Sequence, residues 1–136
     1  MYGLNAVALV FFGCINVAAY QLCKCQEKKR RKVLLCLCAI LLFSNLLRYC
    51  IVYPFVKGVI MLPVEFSTVA YFLVPAILLT SKKRLHSWAA YSGLMAGFFY
   101  YMAMIVVGGM IYGQNPLLDI YISLFCHGCI YFCGFV

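Results

Sequence analysis

Lys28-Lys29-Arg30-Arg31-Lys32, followed at once by Val33-Leu34-Leu35-Cys36-Leu37-Cys38-Ala39-Ile40-Leu41-Leu42-Phe43, decides the fold class of this 136-residue chain. Five consecutive cations need water, and the apolar run behind them needs to leave it. Apolar sequence continues past Ser44-Asn45 to Val56, a length that crosses roughly 30 Å of hydrocarbon at about 1.5 Å per helical residue. The junction at residue 32 therefore reads as a membrane surface.

The same pattern recurs along the chain. Apolar segments at 3–22, 33–56, 59–80, 88–109 and 116–136 read as five transmembrane helices in one domain. The composition agrees: 67% of residues are hydrophobic and only 10% charged, against roughly 25% charged in an average soluble domain. A soluble fold is excluded, and the expected class is all-α, a polytopic membrane bundle.

Orientation follows from the basic residues. Loop 23–32 holds Lys24, Lys28, Lys29, Arg30, Arg31 and Lys32, and loop 81–87 holds Lys82, Lys83 and Arg84, so nine of the eleven cations fall on one side. The positive-inside rule puts both loops in the cytoplasm and the amino terminus outside, in a multi-pass protein of the cell membrane. The net charge of +8 thus reports topology and contact with anionic lipid, not nucleic acid. The first segment carries no preceding positive charge and no small-residue cleavage site, so it reads as a retained helix rather than a signal peptide. At the other end the chain stops at Val136 in apolar sequence, as a piece of a longer protein would.

Ionisable groups inside a span cost about 2.5–3.5 kcal/mol each on insertion scales and so call for a partner, a wet cavity or a function. Arg48, Glu65 and His127 are of this kind. Arg48 precedes the Lys57-Gly58 turn by about as many residues as Glu65 follows it, so an antiparallel hairpin brings both to one depth and predicts an Arg48–Glu65 pair. His127, Tyr100 and Tyr101 fall near the same level, as do Ser44, Asn45, Ser67 and Thr68. Together they predict a polar pocket in the outer half. Glu65 and His127 would exchange protons there, with Arg48, Tyr100, Tyr101, Ser67 and Thr68 holding a lipid or amphipathic substrate. The alternative is that these side chains only tie helices together.

Two further patterns concern packing. Ala89, Gly93 and Gly97 recur every four residues and allow a neighbouring backbone close to the fourth span. Of the nine cysteines, nearly all lie within or beside spans and read as free thiols. Cys126, Cys129 and Cys133 share one helix face while His127 points about 100° away from Cys126, so Cys126-His127-Gly128-Cys129 is not a compact metal-ligand set. No metal or cofactor is implied. Asn115-Pro116, with Asp119 behind them, form a helix-start signal for the last span.

Leu62-Pro63-Val64-Glu65-Phe66-Ser67, a small-residue-rich fourth span and Phe125-Cys126-His127-Gly128 together resemble the YwaF-type bacterial membrane proteins and their eukaryotic relatives, which include a transmembrane acyltransferase. Pro63 and His127 match the family's proline and second histidine, whereas Val64 and Glu65 stand where a cysteine and a histidine are expected. The resemblance implies the bundle and a functional role for His127, with acyl transfer or hydrolysis as the chemistry. Without it, the rivals are a small transporter or accessory subunit that switches a Glu65–Arg48 pair, and a structural membrane protein with no substrate.

Overall fold

The computed structural model describes residues 2–56, 58, 66–80, 83–111 and 117–135. Five α-helices follow in chain order: α1 (Tyr2–Cys23), α2 (Glu27–Leu47), α3 (Phe66–Leu79), α4 (Lys83–Ile111) and α5 (Leu117–Phe135). A π-helical segment, Arg48–Val56, prolongs α2. The described residues contain no strand, so the fold is an all-α bundle. Three stretches, Gly3–Cys23, Glu27–Phe55 and Arg84–Gly108, are long and apolar enough to cross a membrane. α3 and α5 are apolar and described over shorter lengths.

α1 runs one residue beyond the apolar segment 3–22 at each end, whereas the helices that hold segments 33–56 and 88–109 begin several residues before them. α2 starts at Glu27 rather than 33 and α4 at Lys83 rather than 88. Most of the expected loops 23–32 and 81–87 are thus helix, and only Lys24, Cys25 and Gln26 separate α1 from α2. The reason is that Lys, Arg and Glu are good helix formers whose long side chains keep their charges in water. Hydropathy marks the edge of hydrocarbon, not of the helix. Glu27 in the first turn of α2 also complements the positive end of the helix dipole.

The helices alternate in direction. Asn5, near the start of α1, donates from Nδ2 to the Ile105 carbonyl near the end of α4 at 2.8 Å. Cys23 at the end of α1 lies 3.8 Å from the Phe135 carbonyl at the end of α5, and Cys38, midway along α2, lies 3.8 Å from Cys133 late in α5. The starts of α2 and α4 therefore share one end of the bundle with the finishes of α1 and α5. Lys24, Lys28, Lys29, Arg31 and Lys32 stand exposed at that end.

α4 and α5 share the most extensive interface, and small residues make it. A Cβ added at Gly93 would lie 2.6 Å from the Ile130 carbonyl oxygen, one at Gly97 2.8 Å from that of His127, and one at Gly134 2.6 Å from that of Ala90. These distances leave no room for a methyl group, so the two backbones touch where the spacing of Gly93 and Gly97 predicts. One core cluster joins α2, α3, α4 and α5 through residues such as Leu41, Val74, Ala89 and Ile130. A second joins α1 to α4 and α5 through Ala8, Tyr101, Met104 and Leu124. Large apolar side chains such as Val10, Phe43, Phe55 and Val106 face outward, as a lipid-facing surface requires.

The π-helical segment has a local cause. Pro54 lies inside it, lacks an N–H, and its ring clashes with the carbonyl four residues back in an α-helix. Widening the turn relieves that clash. Tyr49 anchors the segment to α3 by edge contact with Phe72, ring centroids 5.7 Å apart. After it, Gly58 adopts a φ of 65°, a left-handed conformation that suits glycine at the expected turn. Lys57, Pro63, Val64, Asn115 and Pro116 lie outside the described residues.

Candidate functional site

His127 is 4% exposed, deep in α5, and three neighbours fix its ring. Tyr71 from α3 brings its hydroxyl to 2.5 Å from Nδ1 and 3.1 Å from Nε2. The Ser123 carbonyl one turn back lies 2.9 Å from Nδ1. Tyr100 from α4 stacks on the imidazole face with centroids 3.5 Å apart and planes within 6°. The Tyr71 hydroxyl is nearer to Nδ1 than to Nε2, and Nδ1 is also within hydrogen-bond reach of the Ser123 carbonyl. The ring also lines a cleft of about 400 Å³ with Phe66, Ser67, Met95, Ala96, Phe99 and Tyr100. His127 therefore joins α3, α4 and α5 while leaving one edge open to a small space.

A second and larger cleft, about 570 Å³, lies between the α2–π junction and α5. Its polar residues are Ser44, Asn45, Arg48, Asp119 and Tyr121, and Val52, Ile122 and Phe125 are among its apolar walls. Arg48 is half-buried, with its guanidinium carbon 5.1 Å from the centre of the Tyr53 ring, within cation–π range. Arg48 follows Asn45 by three residues, so both side chains lie on one face about 4.5 Å apart in height. Asn45 is 1% exposed and donates from Nδ2 to the Leu41 carbonyl at 2.9 Å. Its Oδ1 has no hydrogen-bond partner among the described residues.

The residues singled out from the sequence thus divide. Ser44, Asn45 and Arg48 line the larger cleft, and His127, Tyr100 and Ser67 the smaller. Tyr101 lines neither; fully buried, it donates its hydroxyl to the Leu124 carbonyl at 2.7 Å and fastens α4 to α5. Thr68 is buried in α3. Glu65, and with it the Arg48–Glu65 pair and the Glu65–His127 exchange, lies outside the described residues. Comparison with protein-family models, curated proteins and solved structures finds no match to this chain.

Two features were missed from the sequence. Tyr71, the hydroxyl partner of His127, carried a signal: an aromatic residue with a polar tip in the middle of an apolar span needs a partner. Asp119 was read only as a helix-start charge, yet it lines the larger cleft. The cysteine face was legible: Cys126 lies 3.7 Å from Asn45 Nδ2 and Cys133 3.8 Å from Cys38, both toward α2, while His127 turns toward α3 and α4.

Proposed function

We propose that the chain is a multi-pass protein of the cell membrane, amino terminus outside, that binds an anionic amphipathic molecule or lipid in the cleft beside Arg48. The carrying observation is a half-buried guanidinium in a cleft of about 570 Å³ whose other walls are largely apolar. A cation held within an apolar bundle carries an insertion cost that functional sites commonly offset, and arginine matches carboxylate and phosphate with a fork of donors. The proposed orientation is supported by the exposed cations gathered at one end of the bundle. In that frame the cleft lies in the outer half.

Equilibrium binding of oleoyl phosphate to the purified chain in nanodiscs tests this reading. Arg48→Gln should weaken binding at least tenfold, because a charged hydrogen bond contributes about 1.5–3 kcal/mol. Equal affinity for both proteins would remove Arg48 from the site.

A second reading, hydrolysis or acyl transfer at a lipid ester, has one specific observation in its favour: His127 lines the smaller cleft beside Ser67. It is the chemistry that the resemblance to YwaF-type proteins implies. Histidine is the usual general base for such a step. Turnover of a lipid ester that survives His127→Ala would dismiss it.

A further inference from the structure

Asn45 presents a problem that the bundle itself does not solve. Its Oδ1 is buried and unpartnered among the described residues, although its Nδ2 is bonded to the Leu41 carbonyl and lies 3.7 Å from Cys126 Sγ. Exchanging the amide oxygen and nitrogen would set oxygen against the Leu41 carbonyl, so rotation offers no remedy. A buried acceptor without a donor is costly, and such groups are rare in folded proteins. Asn45 is among the residues that line the cleft beside Arg48.

Resting on the reading above, we infer that the ligand of this cleft carries a hydrogen-bond donor, a hydroxyl or an amide N–H, about one helical turn deeper than its anionic group, and that Asn45 Oδ1 selects for it. Three observations converge on this chemistry. Asn45 and Arg48 are spaced by three residues on one helix, which sets the distance between donor and anion at about 4.5 Å along the axis. The guanidinium has five N–H donors, enough to meet an anion whatever else it holds. Val52, Ile122 and Phe125 supply an apolar wall for a chain. A lysophosphatidate, with a free glycerol hydroxyl next to its phosphate and a single acyl chain, has all three parts. Asp119 also lines the cleft.

The test compares oleoyl lysophosphatidate with its deoxy counterpart, identical except for the glycerol hydroxyl, on the full chain in nanodiscs. Glycerol 3-phosphate serves as the headgroup without a chain. Wild-type protein should bind the hydroxylated lipid about tenfold more tightly than the deoxy lipid, the effect of satisfying one buried acceptor. Asn45→Leu, which keeps the volume and removes the oxygen, should abolish the preference while leaving affinity for the deoxy lipid dependent on Arg48. Should that variant not fold, the lipid pair on the wild-type protein still decides. Equal, Arg48-dependent binding of both lipids overturns the role of Asn45 and leaves the anion site intact. Binding of neither lipid overturns the anion site and the inference together. Glycerol 3-phosphate binding as tightly as the lysolipid overturns the lipid as the source of the phosphate.

Discussion

Gly97 and Gly93 sit where α4 and α5 touch and were readable as residues, because small side chains at every fourth position let helix backbones approach closely in a membrane. Gly97→Ala should destabilise the bundle by about 1–3 kcal/mol, the usual cost of forcing extra volume into a packed core. Gly13→Ala, where a new methyl would meet nothing within 4 Å, should be neutral or stabilising by about 0.5–1 kcal/mol. Unfolding in mixed micelles measures both, and equal effects would mean that α4 and α5 do not touch there. His127 was legible as an exceptional residue but its partners were not. A sequence reports that an imidazole must be satisfied; only packing decides that Tyr71 and the Ser123 carbonyl satisfy it. Tyr71→Phe leaves one ring nitrogen without its donor and should cost about 1–3 kcal/mol, read as a lower midpoint in the same assay. An unchanged midpoint would place another donor on the ring.

At the scale of elements, apolar length pointed to five helices, three of which are long and apolar enough to cross a membrane over their described residues, and polar helix-forming residues hid where α2 and α4 begin. The π-helical segment was also hidden, since Pro54 announces a disturbance without specifying its form. A wider turn changes the angular step between residues, and Arg48, Val52 and Tyr53 of this segment all line the larger cleft. Pro54→Ala restores a backbone donor and favours return to the α form, which should lower affinity for an anionic amphiphile several-fold with Arg48 still present. Binding assays on a variant whose circular dichroism confirms a folded bundle check this. Retained affinity would show that the segment's geometry is not needed.

For the molecule as a whole, the positions of its cations foretold how the helices alternate, because membrane charge asymmetry and helix direction are coupled. In sealed cells an impermeant maleimide should label a variant retaining only Cys25, which adjoins the basic cluster, only after permeabilisation; labelling of intact cells would invert the topology. The polar layer was legible only in part. Helix rise fixes how deep a residue sits, whereas its direction around the axis depends on which neighbours it packs against. Arg48 and His127 consequently line separate clefts. The most direct test is photocrosslinking with an oleate-length anionic lipid that carries a diazirine, followed by mass spectrometric mapping of the adducts. The expected adducts are on Val52, Tyr53, Ile122 and Phe125, lost in Arg48→Gln. Adducts spread over the outward faces of Val10, Phe43 and Val106, or gathered at Met95 and Phe99 beside His127, would contradict a ligand site at Arg48.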